Sequence, residues 1–105
     1  MKVYIAGKIS GDPAYREKFK LAERALAEQG DIVLNPATLP ERMRPSDYMR
    51  ICMAMMESAD VVAFLPDWDR SSGACLEHEW CRYVGKQMMY LECMGFCREE
   101  MSNGQ

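Results

Sequence analysis

One acidic side chain falls in the middle of an apolar helix face. Residues 73–86 (GACLEHEWCRYVGK) have helical spacing, and a turn of about 100° per residue places Glu77 at the centre of the apolar arc. The arc contains Tyr83, Leu76, Trp80, Val84, Cys81 and Ala74, and the opposite face contains His78, Glu79, Arg82 and Lys86. An inward carboxylate is either hydrogen-bonded or used in chemistry, because burying it unpaired costs free energy. A capping box does not explain it, since with Ser72 or Gly73 as the cap the third helical position is Cys75 or Leu76.

The elements that must position this acid alternate between strand and helix along the chain. The predicted strands are Lys2–Ala6, Asp31–Leu34, Asp60–Leu65 and Gln87–Leu91. A helix capped by Asp12, with Pro13 at its first position, runs to Gly30, and a second helix runs from a Ser46 cap to about Ser58. The alternation predicts an α/β fold, a three-layer α/β/α sandwich of the flavodoxin or Rossmann type. Its parallel sheet of about four strands has the order 2-1-3-4.

In that order the first and third strands are neighbours, and ligands bind where their carboxyl ends meet. The expected crevice lies between Gly7–Gly11 (GKISG) and Pro66–Gly73 (PDWDRSSG). Its candidate ligand groups are Gly7, Lys8, Ser10, Gly11, Ser71, Ser72 and Gly73. Glycine amides, hydroxyls and a helix N-terminus suit a phosphate or a sugar oxygen. Ordinary βα turns with no ligand have the same composition.

Four sequence features resemble the nucleoside 2-deoxyribosyltransferase-like superfamily, and its short branch in bacteria and phages above all. They are VYIAG at the N-terminus, NP after the second strand, Asp60 at the start of the third, and LPDWDRSSGACLEHEWCRYVGK with its GxxxE motif. The resemblance extends to about Leu91. It implies cleavage or transfer at the N-glycosidic bond of a 2'-deoxynucleoside or its 5'-monophosphate.

The resemblance also implies roles for individual residues. Glu77 would be the nucleophile, Tyr4 would position it, and Lys8, Ser10 and Ser71 would hold a 5'-phosphate. One departure concerns the aspartate that binds the sugar hydroxyls in the transferases, since Cys52 aligns there and the nearest acid is Asp47. That departure favours a second hypothesis, a nucleotide-binding or sensor module without turnover.

The proposed chemistry suits a carboxylate. Departure of the base builds oxocarbenium character at the anomeric carbon, which Glu77 could stabilise or trap as an ester. Tyr4 could hold the rotamer of Glu77, or it could be a sheet residue whose hydroxyl reaches solvent. Three sources could protonate the departing base, namely Asp67, Asp69 and water. Trp68 could stack on the base or form an aromatic lid over the sheet.

The amino-acid composition limits the kinds of partner and cofactor that we expect this protein to bind. The 105 residues predict a single domain, 1–105, and a net charge of -3 without a basic stripe argues against polymeric nucleic acid. No segment is apolar enough for a membrane span or a signal peptide, so we expect a cytoplasmic protein. One histidine and five cysteines without paired CxxC spacing predict no metal site, and no cofactor is expected.

The tail, residues 92–105, has only a weak pattern. It predicts either a fraying helix or a segment that orders against a partner. Its apolar residues Met94, Phe96 and Met101 have little core to enter, so a homo-oligomer is expected.

Overall fold

The computed structural model describes residues 1–92 and, by backbone alone, residues 98–101. This part of the chain contains five strands and three α-helices. The strands are β1 (Lys2–Ala6), β2 (Ile32–Leu34), β3 (Val61–Phe64), β4 (Met88–Leu91) and β5 (Arg98–Met101). The helices are α1 (Tyr15–Glu28), α2 (Pro45–Ser58) and α3 (Ser72–Val84). No helix in the described ranges is long and apolar enough to cross a membrane.

The strands form one sheet of order β2-β1-β3-β4-β5. The pairs β1–β2, β1–β3 and β3–β4 are parallel, so the predicted order 2-1-3-4 is confirmed. Antiparallel β5 adds an unpredicted fifth strand beside β4. For residues 98–101 the expected fraying helix is therefore wrong, because their backbone completes the ladder along the open edge of β4. Residues 93–97 and 102–105 lie outside the described residues.

Strand alternation divides the core into two layers. Val3 and Ile5 of β1 face α1, and Tyr4 and Ala6 face α2 and α3. All four residues of β3 are buried, as expected for a central strand covered on both faces. The predicted three-layer sandwich is confirmed.

Two helices begin elsewhere than predicted, because side-chain contacts extend the preceding turns. Asp12 does not cap α1 directly, since its Oδ1 accepts from the Ala14 N–H at 3.0 Å and the helix begins only at Tyr15. In α2 the N-cap is Arg44, whose N–H donates to Asp47 Oδ2 at 3.2 Å. Ser46 consequently lies within the first turn of α2.

The site helix α3 is one residue longer at its start than predicted and two residues shorter at its end. Its cap is Ser71, whose Oγ accepts from the Ala74 N–H at 3.1 Å. It ends at Val84 because Gly85 adopts a left-handed conformation with φ of 80°. Lys86 thus lies beyond the helix, where its Nζ donates to the Ala59 carbonyl.

Candidate functional site

The structure joins the two residues on which the sequence argument depends. Tyr4 projects from β1 towards α3, and its Oη donates a hydrogen bond to Glu77 Oε2 at 2.8 Å. Tyr4 is 1% exposed and Glu77 is 7% exposed. The acid is therefore buried, held by a phenol, and fixed between the central sheet and a helix.

Burial dominates the electrostatics of this pair. It raises the pKa of Glu77 from 4.5 to about 7, and the hydrogen bond from Tyr4 opposes that rise. The pKa of Tyr4 lies well above its usual value, because of burial first and the charge of Glu77 second. Tyr4 therefore stays a hydrogen-bond donor, while Glu77 changes charge near neutral pH.

A cavity of about 990 Å³ opens above this pair. Its walls include the loop after β1 and the start of α3, the two segments predicted to form the crevice. The predicted ligand-binding residues that line it are Gly7, Lys8, Ser10, Gly11, Ser71, Ser72 and Gly73. Gly7 allows the close approach of this loop to the sheet, because a Cβ there would lie 2.7 Å from Leu65 Cδ1.

A third wall, formed by the segment between β2 and α2, was not predicted from the sequence. It lines the cavity with Leu39, Glu41, Arg42 and Met43, and the first turns of α2 add Pro45, Tyr48 and Met49. Tyr48 Oη holds the segment by donating to the Pro40 carbonyl at 2.5 Å and accepting from the Met43 N–H at 3.2 Å. The predicted strand order could have indicated this wall, since a segment that leaves the carboxyl end of β2 emerges at the edge of the sheet where ligands bind.

Three predicted site residues lie outside the cavity lining. Asp67 binds Lys18 Nζ through Oδ2 at 2.5 Å and the Lys8 N–H through Oδ1 at 3.1 Å, so both its oxygens are engaged. Asp69 is exposed at the surface. Trp68 packs against Phe64, with ring centroids 5.4 Å apart.

The orientation of α3 differs in detail from the predicted arc. Ala74, Glu77 and Cys81 are buried, but Leu76, Tyr83 and Val84 are 61%, 92% and 50% exposed. The sheet covers only a narrow stripe of the helix, so these three apolar residues stay outside the core.

His78 does not face solvent as predicted. Its ring stacks on Trp68 with centroids 4.1 Å apart, and its Nε2 lies 2.7 Å from Tyr90 Oη. Burial lowers the pKa of His78.

Cys52 also lines the cavity, from α2. It is 8% exposed, and burial raises the pKa of its thiol, so the side chain is a neutral group beside Tyr4. The cavity thus has a thiol at the position where the resemblance implies a carboxylate. Among residues 1–92, no three His, Cys, Asp or Glu side chains form a cluster that could hold a metal.

Two solved structures have the same fold. A 2-deoxyribosyltransferase from Bacillus psychrosaccharolyticus superposes with a TM-score of 0.67 at 21% identity, covering 87% of this chain and 72% of that chain. The CMP N-glycosidase BcmB from Clostridium botulinum superposes with a TM-score of 0.65 at 20% identity, covering 87% of this chain and 71% of that chain. The resemblance to the nucleoside 2-deoxyribosyltransferase-like superfamily is confirmed at the level of the fold.

Sequence comparison assigns the family. Residues 1–90 match the family "Domain of unknown function (DUF4406)", and the chain belongs to it. No curated protein matches the sequence.

Proposed function

We propose that this protein breaks the N-glycosidic bond of a 2'-deoxynucleoside 5'-monophosphate, with Glu77 as the nucleophile. One observation carries the proposal, namely a buried glutamate at the base of a large cavity, oriented by Tyr4 at 2.8 Å. The two structures of the same fold support it, because one is a 2-deoxyribosyltransferase and the other a CMP N-glycosidase. The acceptor is water or a second base.

In the proposed reaction the ionised Glu77 attacks the anomeric carbon. An ester bond forms to Oε1 or Oε2, the C–N bond breaks, and the base leaves with the bonding electron pair and takes up a proton. Water then releases the sugar, or a second base accepts it. We assign the proton of the departing base to water, because Asp67 and Asp69 lie outside the cavity lining.

The charges around the cavity favour the 5'-monophosphate over the free nucleoside. Lys8, Arg42 and Arg70 line it, and within residues 1–92 none of them forms an ion pair. The acids Asp12 and Glu41 each pair with a basic side chain of α1. The cations that remain, together with the N-terminus of α3, suit a phosphate dianion.

A second function, nucleotide binding without turnover, is favoured by Cys52. A neutral thiol cannot accept hydrogen bonds from sugar hydroxyls as a carboxylate does. The cavity and its cations would serve a sensor equally well. The two functions differ in one measurable respect, the release of free base.

The deciding experiment incubates the protein with the four common 2'-deoxynucleosides and their 5'-monophosphates and detects free base by chromatography. We expect release from at least one monophosphate, none from that monophosphate with Glu77→Gln, and weaker release from the matching nucleoside. Binding by calorimetry without base release would support the sensor.

Two matched variants test whether the cations of the cavity bind the 5'-phosphate. Arg70→Met should raise KM for the monophosphate about 10- to 100-fold, as expected for losing a hydrogen bond to a charged group. Arg82→Met removes an exposed cation that pairs with Glu79 on α3, and should leave KM unchanged. Equal KM values for both variants would contradict the phosphate assignment.

We also propose that the protein self-associates. The tail side chains on which the sequence prediction depends, Met94, Phe96 and Met101, lie outside the described side chains. Support comes from the exposed apolar residues of α3, where Leu76 also lines the cavity. Light scattering at micromolar concentration should give a dimer or larger, and a monomer mass would contradict this. The single domain 1–105, the cytoplasmic location and the absence of nucleic-acid partners stay predictions.

A further inference from the structure

A second charged side chain, Lys18 in the first turns of α1, is buried with 8% of its surface exposed. Its Nζ donates to Asp12 Oδ2 at 2.5 Å, to Asp67 Oδ2 at 2.5 Å and to the Lys8 carbonyl at 2.8 Å. An ammonium has three hydrogens, so these acceptors satisfy it completely. We call Lys18 with Asp12 and Asp67 the lysine cluster.

The remaining carboxylate oxygens of the cluster bind backbone. Asp67 Oδ1 accepts from the Lys8 N–H at 3.1 Å, and Asp12 Oδ1 accepts from the Ala14 N–H at 3.0 Å. The loop after β1 and the loop after β3 are therefore joined through one nitrogen atom. Both loops line the cavity, but Lys18 itself does not.

We infer that Lys18 is a positioning residue that fixes the distance between the two loops of the binding cavity. It acts through Lys8, which lines the cavity and whose backbone N–H and C=O bind Asp67 and Lys18 of the cluster. An apolar residue at position 18 could fill the volume but could not bind either carboxylate. Asp12 and Asp67, now held against one nitrogen, would then repel each other and separate the loops.

The expected effect of Lys18 on ligand binding rests on the proposed function, whereas its expected effect on the two loops does not. The two are separated by measuring hydrogen–deuterium exchange of residues 7–14 without ligand, alongside binding of 2-deoxyribose 5-phosphate by calorimetry. This probe contains the sugar and phosphate of any monophosphate substrate and needs no knowledge of the base. The variants are Lys18→Met and, as the matched control, Lys20→Met, an exposed lysine of the same helix.

We expect Lys18→Met to speed exchange of residues 7–14 at least about tenfold more than it speeds exchange of residues 22–28 of α1. Affinity for 2-deoxyribose 5-phosphate should fall by a similar factor, and Lys20→Met should change neither. A purely structural role would instead raise exchange by a similar factor throughout the chain. Since Lys18→Met removes a buried charge, Asp67→Asn serves as a milder variant that leaves Lys18 paired with Asp12, and it should show the same local change.

Unchanged exchange of residues 7–14 in either folded variant would overturn the positioning role. So would local loosening without loss of affinity in a protein whose wild type binds the probe. Failure of the wild type to bind 2-deoxyribose 5-phosphate would count against the proposed function, and the exchange data alone would then decide the role of Lys18.

Discussion

Two buried charged residues, Lys18 and Glu77, differ in how completely their surroundings compensate their charge. They are almost equally buried, at 8% and 7% exposed. Lys18 contacts two carboxylates and a carbonyl, which satisfy all three of its hydrogens. Glu77 has a hydrogen bond from Tyr4 and, within residues 1–92, no cation at ion-pair distance.

The difference shows what burial of a charge indicates. A charge with complete compensation, such as Lys18, can hold the groups around it in place but is not itself poised to react, even though it is inside the protein. A charge whose burial is only partly compensated is held at a cost, and that cost appears in the raised pKa of Glu77. Reactive groups are more often partly compensated charges, because a group that is poorly stabilised in the ground state can be stabilised more strongly in the transition state.

The largest expected effect is on catalysis. Glu77→Gln keeps the shape of the side chain and an acceptor for Tyr4 but removes the nucleophilic charge. Base release should fall by at least about 10³-fold, as expected when a covalent nucleophile is lost. Single-turnover assays with circular dichroism to verify the fold would measure this. Activity at the wild-type level would eliminate the mechanism and leave the binding module.

Lys18→Met should destabilise the protein by about 3–5 kcal/mol, the usual effect of removing one partner from a buried ion pair. The two carboxylates are left without their cation. Urea unfolding compared with Lys20→Met, which should lie within about 0.5 kcal/mol of wild type, provides the measurement. A loss no larger than that of the control would mean that water replaces the ammonium.

Unlike Lys18→Met, the substitution Glu77→Gln should make the protein more stable relative to wild type as the pH rises. The pKa of Glu77 is about 7 in the folded protein, above its value of about 4.3 in an unfolded chain. Its contribution to stability is therefore complete below the unfolded value and is lost as the pH rises through 7. The stability of Glu77→Gln relative to wild type should consequently increase by about 3 kcal/mol between pH 4 and pH 8. Denaturant unfolding of both proteins at the two pH values measures this, and a decrease would show that Glu77 is stabilised as an anion.

Tyr4→Phe should have a moderate effect on turnover. The hydrogen bond from Tyr4 lowers the pKa of Glu77, so its loss should move that pKa further above 7. Activity that depends on the ionised acid should rise with pH at about pH 7 in wild type and at a higher pH in Tyr4→Phe. At pH 7 we expect a loss of about 10- to 100-fold, which corresponds to a hydrogen bond to a charged group. A pH–rate profile with an unmoved acidic limb would show that Tyr4 is only a sheet residue.

The smallest expected effect is that of a chelator. Thermal unfolding with and without EDTA should coincide, because neither charged centre is predicted to need a metal. Stoichiometric zinc in protein purified without added metal would contradict this.

The sequence predicts the sheet and the inward position of Glu77 well, because both depend on simple periodicity. Lys2–Ala6 is strongly β-forming, and the bounds of β1 match those predicted. The inward position of Glu77 follows from helix geometry alone. The same reasoning applies to Lys18, which lies three residues after Tyr15 and four before Ala22, on the inward face of α1.

Other features depend on tertiary contacts that a single sequence does not reveal. Asp67 has the residue type of a catalytic acid, and only the position of Lys18 shows that its oxygens are occupied. The exposure of Tyr83 reflects how little of α3 the sheet covers. β5 (REEM) has no apolar alternation, so its pairing with β4 follows from the free edge of the sheet and not from its own residues.

The pairing of β1 with β3 has a consequence for how the protein is made. Val3 pairs with Val61, and Tyr4 meets Glu77 across 73 residues of sequence. A growing chain on the ribosome has Tyr4 early but can give it its partner only after α3 has emerged, since contacts between distant residues close last. Until then the phenol lacks the acid, even where β1 has already paired with β3. The cavity is thus one of the last parts of the fold to form, and truncated chains that end before α3 lack it altogether.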